Sequence, residues 1–240
     1  MKIITFCNLK GGTGKTSSCL AIAQAGARDG RRVLIVDTDP QGNAAQWSGA
    51  STSAPGTFEL LAGKAKLRSV IQHTDQGLDV IAGGPDLMTI HTSQGSARRL
   101  ADKLQGARRV YDIVCIDSGP TLGELTFEAI YAADLIMVCA HAAAGSLSAL
   151  ASVAELAEGM GKAGKIRTVI CQYDGRASVR KFQRAEIERE AAELGAPVIG
   201  VIRQGVAVEE AHTNRQPLYM AWARSNPARD YLALYELIKD

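Results

Sequence analysis

The stretch KGGTGKT at residues 10–16 brings glycines, hydroxyls and two lysines together. Glycines allow a tight turn whose amide N–H groups can surround phosphate oxygens at the start of a helix. Lys15 can then neutralise the β and γ phosphates of a nucleotide, and the Thr16 hydroxyl can ligate Mg²⁺. These residue types predict a phosphate-binding loop made of Gly11, Gly12, Thr13, Gly14, Lys15, Thr16 and Ser17.

The first position of this loop departs from the usual GxxxxGK(S/T) pattern. Leu9 stands where that pattern has a glycine, and Lys10 follows it. Because Lys15 already supplies the cation for the β and γ phosphates, a second lysine at the outer lip of the loop calls for a role of its own.

Aspartates follow two apolar runs further along the chain. Asp37 and Asp39 lie in DTDPQGN at 37–43, and Asp117 opens DSGPT at 117–121. Alone, the first motif also fits a polar β-turn, since Asp, Pro, Gly and Asn are turn residues. Beside a phosphate-binding loop, one carboxylate can hold a metal-bound water and another can orient the attacking water. The order of the three motifs therefore favours metal-assisted phosphoryl transfer.

The elements that must position these motifs are short apolar runs rich in β-branched residues, at 3–7, 33–36, 78–82, 112–116, 135–139, 168–171 and 197–202. Strands that are apolar on both faces belong to parallel sheets covered by helices. Helical spacing of apolar residues lies between the runs, at 15–29, 86–105, 124–132, 146–160, 177–194 and 227–238. The alternation predicts an α/β fold, a three-layer α/β/α sandwich with a mostly parallel sheet.

The polar motifs follow the first, second and fourth of these runs, and ligands of such sheets bind at the carboxyl ends of the strands. No Pro-rich or Ser-rich linker divides the chain, so we expect one domain over residues 1–240. The five cysteines show no metal-binding spacing, which favours reduced core residues in a cytoplasmic protein. No apolar run approaches the length of about 20 residues that a membrane span needs.

Together these motifs resemble the deviant-Walker ATPases, and most closely the ParA-type partition ATPases, which are P-loop NTPases. The stretches that carry the resemblance are KGGTGKT (10–16), VDTDPQGN (36–43), YDIVCIDSGPTLGELT (111–126), VIRQGVAVEEAHTNRQPL (201–218) and ARDYLALYELI (228–238). The resemblance covers essentially the whole chain. It implies an ATPase that uses ATP and Mg²⁺.

The resemblance also gives individual residues their roles. It implies that Lys10 reaches across a two-fold interface into the partner's nucleotide, like an arginine finger supplied in trans, so that ATP holds a sandwich dimer together. Asp39 aligns with the family's water-activating acid. Thr16, Asp37 and Asp117 align with its Mg²⁺ sphere.

Two regions match the family less closely. The family's adenine-lining positions correspond here to Gln172, Arg203 and Gln204. After the run at 135–139 the family commonly has a proline and an acidic residue, whereas this chain has HAAAG at 141–145. The role of His141 stays open at this point, since a lone histidine is more often structural than catalytic.

The overall charge says little about partners, since 27 Lys and Arg face 25 Asp and Glu. The local bias is strongest at 162–184, where Asp174 is the only acid. Such a run is either a solvated helix face or a salt-sensitive, sequence-independent footprint for DNA phosphates. On the second interpretation, two copies of the chain form one continuous basic surface from Lys162, Lys165, Arg167, Arg180, Lys181 and Arg184.

The leading hypothesis is an ATPase for plasmid or chromosome partition that dimerises on ATP, binds non-specific DNA and associates with the nucleoid. A ParB-like centromere-binding protein would stimulate hydrolysis and release it. The alternative is a ParA/MinD-like ATPase that positions a non-DNA cargo or a membrane-associated complex. The acidic stretch RDYLALYELIKD at 229–240 argues against membrane binding, because membrane-seeking helices are basic.

Overall fold

The computed structural model describes residues 1–90, 97–143 and 145–240. Its strands are β1 (Lys2–Cys7), β2 (Val33–Asp37), β3 (Ile71–His73), β4 (Asp79–Ile81), β5 (Ile113–Asp117), β6 (Leu135–His141), β7 (Ile166–Tyr173) and β8 (Val198–Arg203). They form one sheet in the order β3-β4-β2-β5-β1-β6-β7-β8. Every neighbouring pair is parallel except β3 with β4, so the predicted α/β fold with a mostly parallel sheet is confirmed.

The helices of the described residues cover both faces of the sheet. They are α1 (Lys15–Arg28), α2 (Asn43–Ser48), α3 (Thr57–Leu61), α4 (Leu67–Val70), α5 (Arg99–Lys103), α6 (Glu124–Ala132), α7 (Ser146–Gly159), α8 (Ser178–Glu193), α9 (Val206–Thr213), α10 (Leu218–Ala221) and α11 (Asn226–Ile238). Short 3₁₀ turns lie at Pro85–Thr89, Leu104–Arg109 and Ala163–Lys165.

Alternation along each strand divides the core into two layers. On β1, Ile4 and Phe6 face the layer that contains α1 and α11, whereas Ile3 faces the layer that contains Leu100 and Leu104. Tyr231 and Tyr235 of α11 are among the largest fully buried side chains. The apolar face of α11 is therefore covered by the protein itself.

One predicted helix is wrong. Instead of a continuous helix over 86–105, the described residues there form the 3₁₀ turn Pro85–Thr89 and, from Arg99, the short helix α5; residues 91–96 lie outside the described part. The apolar positions that gave the helical spacing are buried all the same, with Leu87 and Leu100 at 2% and 0% exposure. They reach the core from separate turns, so their spacing did not require one helix.

The edge strand β3 and the short helices α2, α3, α4, α9 and α10 were not predicted either. Each is shorter than the run that periodicity can detect. In the described residues, none of the helices has both the length and the apolar composition to cross a membrane. All five cysteines are free and buried, as the sequence predicts.

Candidate functional site

The sheet brings the acidic motifs together. Asp37 ends β2 and Asp117 ends β5, and the two are direct partners in the parallel register. In the next strand, β1, Phe6 pairs with Asp117, and the phosphate-binding loop begins after Cys7. Three carboxyl strand ends therefore place the loop and both carboxylates at one edge, as the sequence predicts for ligands of parallel sheets.

The loop has the backbone geometry of an anion cradle. Gly12 and Gly14 lie in the left-handed region, with φ of 71° and 91°, where a side chain is strained. α1 begins at Lys15, so its first amide groups point towards the loop. Lys15 itself is only 6% exposed, and its Nζ donates to the carbonyl of Lys10 at 3.1 Å. The ammonium is thus held inside the loop, where a phosphate would compete for it.

Strand β7 supports the loop from below. A Cβ on Gly14 would lie 2.9 Å from Cβ of Cys171, closer than real Cβ contacts allow. The next residue, Gln172, adopts the left-handed φ of 54°, and its Nε2 donates to the carbonyl of Gly12 at 3.1 Å. Gln172 therefore contacts the phosphate-binding loop directly. Cys171 leaves no room for a side chain at position 14, which explains the glycine there. Sequence reasoning missed Cys171, because only the packing of two strands reveals it.

Asn8 was also missed. Its Nδ2 donates to the carbonyl of Cys139 at 2.6 Å, and its Oδ1 accepts from the amide of Lys10 at 3.0 Å. This Asx turn ties the outer lip of the loop to β6. An asparagine directly after an apolar strand was the available signal.

Thr16 and Asp117 form the candidate metal position. The Thr16 hydroxyl donates to Oδ2 of Asp117 at 2.8 Å. The other oxygen, Oδ1, is buried and has no hydrogen-bond partner among the described residues. Burial and the nearby Asp37 raise the pKa of Asp117 well above its usual value. A buried carboxylate oxygen without a partner fits a divalent cation or its bound water.

Asp37 differs from Asp117 because both its oxygens are already in use. They accept from the amides of Asp39 and Ala45, each at 3.0 Å. Burial raises the pKa of Asp37 to about 7, although these two amides oppose the shift. A remaining lone pair can hold a metal-bound water, while the amide bonds fix the turn that presents Asp39. Among the described residues, no group of three or more His, Cys, Asp or Glu is placed to hold a metal ion.

Asp39 is buried and lines a cleft of about 470 Å³, together with Gly119 and Leu125. Its Oδ1 accepts from the amide of Gln41 at 3.0 Å. A Cβ on Gly119 would lie 3.6 Å from that oxygen, so the backbone after β5 packs against the carboxylate.

A second cleft of about 370 Å³ runs from the phosphate loop towards α9. Gln172, Arg203 and Gln204, the residues predicted to line the adenine, all contact it together with Gly14 and Ser17. The guanidinium of Arg203 is paired with Asp230 at 2.6 Å, which leaves chiefly its stem and backbone for a ligand.

The far wall of this cleft contains residues that sequence reasoning missed. Trp47 of α2 stacks on His212 of α9 with ring centroids 4.0 Å apart. Burial lowers the pKa of His212 to about 4, so the ring is neutral at pH 7. Tyr231 of α11 also lines the cleft, and its hydroxyl lies 3.2 Å from that of Ser18. Three helices that are far apart in the sequence meet at this wall, so no local sequence pattern could predict these contacts.

Lys10 is exposed at the lip of the loop. It lies near His141 at the end of β6, since burial, then Arg180, then Lys10 lower the pKa of that imidazole. Arg180 donates to the carbonyl of Ala142, in the segment that departs from the family pattern. Ala144 of that segment lies outside the described residues. Lys10, His141 and Arg180 therefore share one surface beside the phosphate loop.

The basic residues of 162–184 do not form one patch. One group lies at the start of β7 and consists of Lys162, Lys165 and Arg167. The other group lies beyond the end of β7, in the first turns of α8, and consists of Arg180, Lys181 and Arg184. The eight residues of β7 separate the groups by about 25 Å. The Lys162 Nζ donates to the carbonyls of Tyr131 and Ala133, at 2.5 and 2.7 Å, so it caps the end of α6.

Comparison with known proteins identifies the family. The AAA_31 family model, an AAA domain, matches residues 1–168. The chromosome partitioning protein ParA of Myxococcus xanthus is 30% identical over 251 residues, which cover 99% of this chain and 88% of that protein. The chromosome-partitioning ATPase Soj of Thermus thermophilus is 32% identical over 216 residues, 87% of this chain and 83% of Soj.

A solved structure shares the fold. The septum site-determining protein MinD of Pyrococcus horikoshii, in complex with Mg-ADP, superposes with a TM-score of 0.84 at 22% identity, over 99% of this chain and 95% of MinD. At that identity the likeness concerns the fold alone. With the family match and the two partition proteins, the chain belongs to the AAA_31 family and, within it, to the ParA-type ATPases.

Proposed function

We propose that this protein is an ATP-dependent partition ATPase for plasmid or chromosome DNA, which forms an ATP sandwich dimer and binds DNA without sequence preference. The observation that carries the proposal is the meeting of Lys15, Thr16, Asp37, Asp39 and Asp117 at one sheet edge, with Lys10 on the adjoining surface. The two relatives named as chromosome-partitioning proteins support the choice of cargo.

Each residue has a distinct task in hydrolysis. The amides around Gly12 and Gly14 bind the phosphates of ATP, and Lys15 leaves the Lys10 carbonyl to neutralise the β and γ phosphates. Thr16, with Asp117 and Asp37 around it, would hold Mg²⁺, which supplies charge neutralisation of the phosphates. Asp39 orients the water for attack on the γ-phosphorus. In the dimer, Lys10 of each copy stabilises the developing charge on the nucleotide of the other.

The dimer explains regulated activity. A site that needs a lysine from a second copy hydrolyses slowly until both copies are aligned. A ParB-like centromere-binding protein that improves this alignment would trigger hydrolysis and release DNA. The protein would then act in the cytoplasm and associate with the nucleoid only when ATP is bound.

The variant Asp39→Ala tests the proposal, because it removes the water-orienting carboxylate and leaves the phosphate contacts. We expect it to bind ATP, to elute as a dimer in size-exclusion chromatography with ATP and to retain duplex DNA longer than the wild type does. A variant that stays monomeric with ATP, or that hydrolyses ATP at the wild-type rate, would contradict the proposal. ATP-driven dimerisation without affinity for any duplex would instead favour the positioning of a non-DNA cargo.

A further inference from the structure

The edge of the sheet opposite the nucleotide site is lined with arginine and lysine. These cations lie near the amino ends of three strands: Arg31 and Arg32 directly before β2, Lys165 and Arg167 at the start of β7, and Arg108 and Arg109 at the end of the 3₁₀ turn that precedes β5 by three residues. We call these six residues the basic rim. Five of them are exposed, and Arg167 is half-buried.

Sheet order makes the basic rim one row. The strands β2, β5, β1, β6 and β7 are successive neighbours. At about 4.8 Å for each of the four spacings, the row is about 19 Å long. Backbone bonds fix its centre, since the amide of Asp112 donates to the carbonyl of Arg32 at 2.9 Å and the amide of Lys2 donates to that of Asp112 at 2.9 Å.

Most of the charge in this row is uncompensated. Arg31 and Arg32 pair with Asp29 and Asp112, at 3.7 and 3.1 Å. In contrast, Arg108, Arg109, Lys165 and Arg167 form no ion pair with any described residue. Asp134, directly before β6, is a further acid in this row, and its carboxylate accepts from the amide of Ile3 at 3.0 Å. Four cations without acidic partners outnumber it, which favours a polyanion.

The other half of the sequence cluster offers less free charge. At the nucleotide edge, Arg176 pairs with Asp174 and Arg184 with Glu188, each at 2.7 Å. Arg180 donates to the carbonyl of Ala142, which leaves Lys181 as the exposed cation without a described partner. The basic rim is therefore the stronger of the two surfaces for an extended anion.

We infer that the basic rim binds the phosphate backbone of double-stranded DNA, without sequence preference and on the side of the molecule opposite ATP. The inference rests on the proposed partition function for the identity of its ligand. Duplex DNA fits better than an acidic protein, because the larger clefts of the described structure lie at the carboxyl edge, away from the basic rim. Guanidinium groups match phosphates through paired N–H donors.

This location has a consequence for the dimer. If Lys10 of each copy reaches the partner's nucleotide, the carboxyl edges of the two sheets face each other. The two basic rims then lie on opposite outer sides, so that one ATP dimer can bridge two duplexes. A continuous surface formed by the start of α8 would instead hold a single duplex across the dimer.

The test compares two triple variants of the full chain on two unrelated duplexes over a range of salt concentrations. Arg108→Gln with Arg109→Gln and Lys165→Gln removes three charges from the basic rim, and Arg180→Gln with Lys181→Gln and Arg184→Gln is the matched control. We expect the rim variant to lose at least tenfold in affinity at low salt, and its log–log salt slope to fall by about 2 to 3. The control should keep most of the wild-type DNA affinity and most of the wild-type salt slope. The rim variant should keep the basal ATPase rate.

The inference would be overturned if the rim variant bound DNA with the wild-type affinity and salt slope. It would also be overturned if only the control variant at positions 180, 181 and 184 lost DNA binding. In both cases DNA binding by the wild type leaves the partition function standing. If the wild type forms ATP dimers but binds neither duplex, the DNA part of the proposed function fails as well. Bridging is a second readout: with a non-hydrolysable ATP analogue, bead-bound duplex should capture a labelled duplex through the wild type but not through the rim variant. Equal capture by both would contradict the inference.

Discussion

At the scale of single residues, Lys15 is the clearest case of a side chain held ready for a ligand. It is buried in the loop, and its Nζ rests on the Lys10 carbonyl at 3.1 Å. We expect Lys15→Ala to lower affinity for a fluorescent ATP analogue by at least a hundredfold, because the loop loses the cation directed at the β and γ phosphates. Replacement of the exposed Lys66 by Ala is the charge-matched control. Wild-type affinity in Lys15→Ala would refute the assignment of the loop.

His212 gives a pH-dependent prediction. Burial lowers its pKa to about 4 from the usual 6.5. Between these values the folded protein binds fewer protons than the unfolded chain, so stability present above about pH 6.5 is lost as the pH falls towards 4. We expect His212→Gln to lose about 2 kcal/mol less than the wild type in free energy of unfolding between pH 7.5 and pH 5. Urea titrations at the two pH values measure this; equal losses would place His212 in a solvated setting.

At the scale of elements, the chain just after β4 holds in place the Asp37–Asp39 turn, which we propose to be catalytic. A Cβ at Gly83 would lie 2.5 Å from the carbonyl oxygen of Asp39 and 2.8 Å from Oδ1 of Asp37. Neither atom can move without moving the Asp39 carboxylate. We therefore expect Gly83→Ala to lower the ATPase rate at least tenfold while the protein stays folded.

Gly164→Ala is the matched control for that substitution, since a Cβ there has no neighbour within 4 Å. Steady-state hydrolysis and circular dichroism of both variants are the measurements. Normal hydrolysis by Gly83→Ala would show that the Asp37–Asp39 turn tolerates displacement.

The sequence predicts most of the sheet, because strands buried on both faces are continuous apolar runs and their carboxyl ends are marked by polar motifs. It places Lys15, Thr16 and Asp117 at one edge, as found. It could not reveal the Trp47–His212 stack or Cys171 beneath Gly14, since these contacts join segments far apart in the chain. The sequence also suggested one basic cluster that contained both Lys165 and Arg180. Counting charges along the chain does not show that strand β7 separates these residues in space.

At the scale of the whole molecule, the nucleotide site and the basic rim lie at opposite edges of the sheet. The carboxyl edge contains the nucleotide site and Lys10, and the amino edge contains the basic rim. If ATP joins two copies through the first edge, the second stays accessible in the dimer. DNA binding by the basic rim then requires no contact with ATP, and we expect dimerisation to raise affinity only for DNA long enough to reach both rims, not for a short duplex.

The central claim is that ATP joins two copies through Lys10, and sedimentation analysis tests it most directly. Wild type and Lys10→Ala are compared without nucleotide and with a saturating non-hydrolysable ATP analogue, after equal nucleotide binding has been verified by titration. We predict that the wild type changes from monomer to dimer with the analogue, whereas Lys10→Ala binds the analogue and remains a monomer. A Lys10→Ala protein that dimerises as the wild type does, or a wild type that stays monomeric with bound analogue, would contradict the account.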